Sequence, residues 1–213
     1  MTPGKQSFRG GGLFVISAPS GAGKTSLVKA LLERNPSLVV SVSHTTRAPR
    51  AHEAQGREYW FVTVREFEEK LARGEFLEHA RVFDNYYGTG RATVESQLAA
   101  GRTVILEIDW QGARQVRQSA PGCTTIFILP PSRAALEQRL RNRQTDSDLV
   151  IARRLMDAVG DMSHYREFGY VVVNDDFDTA CEQLESILAG RGEALLSTRP
   201  QLVPLLTDLL GAP

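Results

Sequence analysis

The chain has 213 residues, with 25 Lys plus Arg balanced by 25 Asp plus Glu, 42% hydrophobic residues and two cysteines. A chain of this length buries a real core without staples, and a formal net charge of zero excludes a global field for gripping a nucleic-acid polymer or an anionic membrane, so charge-driven binding must be local. Cys123 and Cys181 are too few for a disulfide framework and supply no metal cluster, so two reduced thiols in a cytoplasmic protein are expected.

The apolar run from Leu13 to Ile16 is too short for a signal-peptide core or a membrane span. Bounded by glycines before and a Pro-Ser-Gly cluster after, residues 13–17 read as a fully buried strand. A helix over 24–34 follows, with Leu27, Val28, Leu31 and Leu32 on one stripe and Asn35-Pro36 as its stop. The junction reads Ala18-Pro19-Ser20-Gly21-Ala22-Gly23-Lys24-Thr25, a phosphate-binding loop in all but its first position, where Ala18 replaces glycine. Gly21 and Gly23 let backbone N–H groups turn toward phosphate oxygens, the helix aims its positive dipole end at them, Lys24 reaches the outer phosphates and Thr25 can place its hydroxyl on magnesium. The competing reading is a Gly-rich turn that merely contains Lys-Thr. A true phosphate loop still says nothing about the reaction.

Further buried strands are expected at 103–108, 125–129 and 170–173, separated by helical patterns such as 134–143 and 179–188, so the fold class is α/β with a parallel sheet and helices on both faces. Residues 59–62, 76–83 and 86–88 break this rhythm and read as short antiparallel strands around a helix at 66–72, an inserted lobe of mixed structure. Asp109 stands at the carboxyl end of a parallel strand beside the phosphate loop, a place for magnesium and its waters. Six arginines, Arg133, Arg139, Arg141, Arg143, Arg153 and Arg154, populate the next stretch, with Arg139 and Arg143 four apart on one helix face. After Gly190-Arg191-Gly192 a leucine-rich tail either packs on its own domain, the expectation here, or makes a homodimer contact.

Together with the phosphate loop, the series Ser43-His44-Thr45-Thr46-Arg47-Ala48-Pro49-Arg50, Gly56-Arg57-Glu58-Tyr59, Glu75-Phe76-Leu77-Glu78 and Asn85-Tyr86-Tyr87-Gly88-Thr89 closely resembles the guanylate kinases over roughly residues 13–188. The resemblance implies a P-loop kinase core (1–42, 101–132 and 155–213), a GMP-binding lobe (43–100) and a helical lid (133–154). It implies ATP and GMP as partners, with magnesium. Ser43, Arg47, Arg50, Tyr59 and Tyr87 would hold the GMP phosphate, a task suited to forked guanidinium groups and hydroxyls. Glu78 and Thr89 would read guanine, the carboxylate accepting from the ring N1–H and the exocyclic N2 amine. Arg139, Arg143 and Arg154 would reach the transferring phosphates, and Asn174 would lie near the adenine. For Asp109 the resemblance adds a contact to the acceptor nucleotide as the alternative, and Glu107 stands where the family favours aspartate. The bland alternatives are solvated surface pairs for Arg47 and Arg50, an exposed strand-edge charge for Glu78, and a peptide-binding scaffold domain without catalysis for the whole chain.

Overall fold

The computed structural model describes residues 11–82, 84–142 and 148–211. Strand β1 (Leu13–Ser17) leads into helix α1 (Lys24–Arg34), followed by the short strands β2 (Leu38–Val40), β3 (His44–Thr45) and β4 (Trp60–Phe61). Helix α2 (Val64–Ala72) precedes β5 (Phe76–Val82), β6 (Asn85–Gly90) and helix α3 (Arg91–Ala99). The second half runs β7 (Thr103–Glu107), α4 (Trp110–Ser119), β8 (Thr124–Leu129), α5 (Arg133–Arg141), α6 (Asp148–Ser163), β9 (Tyr170–Val173), α7 (Phe177–Leu188) and α8 (Val203–Leu210). Among the described residues no helix is long and apolar enough to cross a membrane.

The described residues form two compact units, one of residues 16–36, 125–142 and 148–211, the other of residues 11–15, 37–82 and 84–124. In the first, β8 and β9 pair in parallel from Ile126 opposite Tyr170 to Leu129 opposite Val173. Ile126, Phe127, Ile128, Leu129, Val171 and Val172 are fully buried, which is why these strands read as unbroken apolar runs. Helix α1 packs on α7, and its far end is tied down by Arg34 to Asp178 at 2.5 Å and by Asn35 Nδ2 donating to Glu185 Oε1 at 2.9 Å. The tail stays within this unit: α8 packs on α6 and buries Leu206 and Leu209. Arg133 Nε donates to the Leu209 carbonyl at 2.7 Å, and Arg199 Nη1 donates to the Val171 and Leu195 carbonyls at 2.8 Å each.

In the second unit β2 pairs in parallel with β7, Leu38 opposite Thr103 through Val40 opposite Ile105. The mixed lobe is a separate four-stranded sheet in the order β4-β3-β6-β5. Strands β5 and β6 form an antiparallel pair with Glu78 opposite Thr89. One expectation fails here: β3 and β4 run parallel, His44 opposite Trp60. The long connection from Thr45 to Trp60 returns the chain to its starting end before β4 begins, so the second strand repeats the direction of the first. Helix α2 is fixed by a capping box in which Thr63 and Glu66 satisfy each other's backbone N–H groups. Its one fully buried residue, Phe67, stacks on Phe76 and Tyr86 with ring centroids 4.5 and 5.3 Å apart.

Candidate functional site

The phosphate loop forms a tight turn in which the Pro19 carbonyl accepts from Ala22 N–H at 3.2 Å. Gly21 and Gly23 have φ of 91° and 97°, left-handed values that a residue with a Cβ, such as Ser20 or Ala22 beside them, could adopt only with strain. Crowding bars a side chain as well: a Cβ on Gly21 would stand 3.0 Å from Leu136 and Leu140, and one on Gly23 would collide with Asn174 Nδ2. Helices α2, α4, α5 and α7 carry Thr63, Asp109, Ser132 and Asp176 as side-chain N-caps, whereas α1, like α3 and α8, has no side-chain cap and is entered through Gly23. Its opening turn, which includes half-buried Lys24 and exposed Thr25, therefore presents backbone N–H groups in the manner of an anion site.

Asn174 buttresses this loop from the end of β9. Its Nδ2 donates to the Ala22 carbonyl at 2.7 Å, its backbone N–H donates to Leu129 at 2.8 Å, and its carbonyl accepts from Arg139 Nη2 at 2.8 Å. Arg139 Nη1 is buried without a hydrogen-bond partner. A cavity of about 300 Å³ lies here, lined by Gly21, Gly23, Ser26, Arg139, Asn174 and Asp175, with Phe177 at its wall. A guanidinium beside a glycine-lined cavity at a helix N-terminus is chemistry for an anionic ligand. Elsewhere on these helices Arg141 pairs with Glu137 at 2.8 Å and Arg153 with Asp157 at 4.0 Å. Arg154 is half-buried on α6, and Arg143 lies outside the described residues.

The second unit holds two further clusters. In one, Thr89 Oγ1 donates to Glu78 Oε1 at 2.5 Å and lies 3.2 Å from Ser43 Oγ. Glu78 is 3% exposed, Thr89 0% and Ser43 8%, which removes the reading of Glu78 as a surface charge. A carboxylate taken this far from water costs free energy unless donors surround it, and the Thr89 hydroxyl, itself beside that of Ser43, is a donor the fold supplies at one of its oxygens.

In the other cluster Arg47 Nη2 meets Glu53 Oε1 at 2.9 Å, Nη1 donates to the Ala48 carbonyl at 2.7 Å, and the guanidinium carbon lies 5.5 Å from the Tyr59 ring centroid. Arg50 donates its backbone N–H to Glu53 Oε2 at 2.8 Å, and its side chain is more than half exposed. Tyr87 meets Tyr59 edge-on at 5.9 Å. Burial would raise the Glu53 carboxyl, but the hydrogen bonds from Arg47 and the Arg50 backbone and the charges of both arginines outweigh it and hold it below the usual range. Burial likewise opposes the Arg47 cation and is outweighed by Glu53 and Tyr87, so its affinity for the proton rises. Burial, followed by the Glu107 and Tyr87 charges, pushes the Tyr59 phenol up to about 12, so it stays a neutral donor. Asp109 caps α4, with Oδ1 accepting from Gly112 N–H at 2.8 Å and Oδ2 from Gln111 Nε2 at 3.3 Å.

The family model for guanylate kinase matches residues 11–191. The chain belongs to the guanylate kinase family. It is 59% identical over 199 residues to the guanylate kinase of Methylococcus capsulatus, covering 93% of this chain and 98% of that one. It is 54% identical over 191 residues to the guanylate kinase of Escherichia coli strain K12, covering 89% and 91%. The solved guanylate kinase from Anaplasma phagocytophilum superimposes with a TM-score of 0.71 at 33% identity, covering 96% of this chain and 97% of that chain.

Within this guanylate kinase fold, the residues singled out by sequence fall into three groups. Ala18 to Thr25 gather with Arg139 and Asn174, Glu78 gathers with Thr89, and Arg47 gathers with Tyr59 and Tyr87. Ser43, expected with Arg47 and Arg50 on the GMP phosphate, has its hydroxyl 3.2 Å from that of Thr89. The Asn174 side chain, expected at the adenine, is bonded to the loop backbone while the residue lines the cavity. Glu53 was missed, although an acid three residues beyond Arg50 in the same loop is a signal. Gly112 and Gln115 were missed as well, since nothing local marks them.

Proposed function

We propose that this enzyme transfers the γ-phosphoryl group of ATP to GMP, giving ADP and GDP, in one in-line step without a covalent enzyme intermediate. The observation that carries this reading is the buried Glu78 carboxylate backed by the Thr89 and Ser43 hydroxyls in a member of the guanylate kinase family. Guanine presents two adjacent N–H donors to such a carboxylate, whereas adenine would set its N1 lone pair against it.

In this reading Ala18, Pro19, Ser20, Gly21, Ala22, Gly23, Lys24 and Thr25 wrap the ATP phosphates, and residues 133–154 form a lid whose Arg139, Arg143 and Arg154 meet the transferring group. Residues 43–100 form the GMP lobe, where Arg47 and Arg50 fork onto the phosphate and the Tyr59 and Tyr87 hydroxyls donate to it. Positioned cations supply most of the catalysis, because phosphoryl transfer spreads charge over oxygens and needs little covalent help. Closure of lid and lobe excludes water, so ATP is not simply hydrolysed.

Among the described residues no three of His, Cys, Asp and Glu come together as a resident metal cluster. The hydroxyl of Thr25 and the carboxylate of Asp109 are hard oxygen donors, which fits magnesium held mainly by nucleotide phosphates and water. Thr25 would bind the ion and Asp109 would hold its waters or the GMP. When bound, magnesium neutralises phosphate oxygens. Two free cysteines suit a reducing, cytoplasmic setting.

A coupled assay of ADP formation with GMP, AMP, CMP and UMP tests the reading. GMP should be strongly preferred. Comparable turnover with AMP would overturn it.

Glu53 orients both arginines, so Glu53→Gln is expected to raise the GMP requirement about tenfold with little change in that for ATP, as a loosely held acceptor is held off-line. Steady-state kinetics check this. Because the Glu53 carboxyl is held low in the fold, its ion pairs stabilise the protein above the ordinary carboxylate range, and that contribution is lost as pH falls through the depressed value. The gap in urea midpoint between wild type and Glu53→Gln should therefore be present at neutral pH and close in acid. A gap that does not change with pH would contradict the assignment.

A further inference from the structure

Strand β5 packs against helix α4, and two α4 residues touch it beside Glu78. Gln115 satisfies both backbone groups of His79: its Oε1 accepts from His79 N–H at 3.1 Å and its Nε2 donates to the His79 carbonyl at 2.6 Å. One turn earlier on the same helix face, Gly112 is buried against the Glu78 side chain itself. A Cβ on Gly112 would collide with Glu78 Oε2, stand 2.9 Å from its Cδ and 3.3 Å from Asp109 Oδ1. The Glu78 carboxylate is thus bounded on one oxygen by the Thr89 hydroxyl and on the other by bare helix backbone, while the next residue of its strand is clamped by an amide.

We infer that Gly112 and Gln115 are positioning residues for base selection, setting respectively the rotation of the Glu78 carboxylate and the placement of its strand. The inference rests on the proposed guanine-reading role of Glu78. A carboxylate that accepts two parallel N–H bonds must present both oxygens in the plane of the base, and a small rotation lengthens one bond as it shortens the other. Alanine is intrinsically better in a helix than glycine, so Gly112→Ala does not unwind α4. The Cβ meets the far end of a side chain rather than backbone, so the carboxylate gives way and leaves its Thr89 bond. Gln115→Ala gives two exposed backbone groups of His79 over to water and releases the strand from α4 without touching Glu78.

The test measures KM for GMP and ATP, the GMP-over-AMP preference, calorimetric GMP binding without ATP, and Tm. The variants are Gly112→Ala, Gln115→Ala and the control Gly160→Ala, whose Cβ on α6 meets nothing within 4 Å. Gly112→Ala should raise KM for GMP and lower the base preference by at least about tenfold, with KM for ATP within about twofold in a variant that stays folded. Gln115→Ala should move the same quantities in the same direction by about threefold to tenfold. The control should leave them unchanged. Wild-type GMP binding and preference in folded Gly112→Ala and Gln115→Ala would overturn the inference, as would equal rises in both KM values with a lowered Tm. If Gly112→Ala does not fold, Gln115→Ala alone decides. Wild type that fails to prefer GMP would instead refute the guanine reading, and the inference with it.

Discussion

Replacing Lys24 with alanine is expected to lower turnover by about 10²–10³-fold or more, the usual cost of removing a charged group that stabilises developing charge in a dry site. Lys24 opens helix α1 directly after Gly23, in the turn that has no side-chain cap, so its ammonium belongs with whatever anion that turn holds. GMP affinity should survive, because Glu78, Thr89, Arg47 and Tyr59 all belong to the other unit of the chain. Single-turnover transfer measured beside calorimetric GMP binding separates the two effects. Turnover within tenfold of wild type in a clean preparation would remove Lys24 from the donor site. Equal loss of GMP binding would show that it serves both nucleotides.

The second large effect is expected on base choice. A site of paired donors and acceptors can reject a mismatched base by roughly 10⁴-fold, since the wrong base leaves buried polar groups unpaired. Thr89 donates to Glu78 Oε1 at 2.5 Å, so the amide of Glu78→Gln would turn its oxygen toward Thr89. Its NH₂ would then take the place of Oε2 and confront a guanine N–H. The variant should lose at least about 100-fold of the GMP-over-AMP margin, mainly through weaker use of GMP, while Arg47 and Arg50 go on holding the phosphate. Initial rates with both monophosphates give the ratio directly. An unchanged ratio would take Glu78 out of the base site and reopen the choice of substrate.

Where local signals were strong, the sequence located elements closely. Helix α1 spans Lys24–Arg34 and β9 spans Tyr170–Val173 at the bounds read from the chain, because an apolar stripe with Asn35-Pro36 behind it, and an apolar run after Gly169, act within a few residues. Strands β2 and β3 have three residues and two, too short for periodicity to register, and they exist because β7 and β6 offer them partners. The parallel pairing of β3 with β4 was hidden for the same reason: strand direction depends on the path of the connecting chain rather than on the residues paired.

For the candidate site, residue types and their order singled out the phosphate loop, the paired arginines and the Glu78 carboxylate, since each is a particular side chain at a particular place in the series that resembles the family. What the sequence could not decide is how those groups are held. Glu53 fixes Arg47 across a loop, Asn174 reaches Ala22 from 152 residues away, and Gln115 grips His79 from 36 away. Ser43 lies beside Thr89 because β3 pairs with β6. Gly112 leaves no pattern at all, because what counts there is a missing side chain opposite Glu78. The chemistry of a group is written in its own residue, but its orientation is set by neighbours that only the folded chain brings within bonding distance.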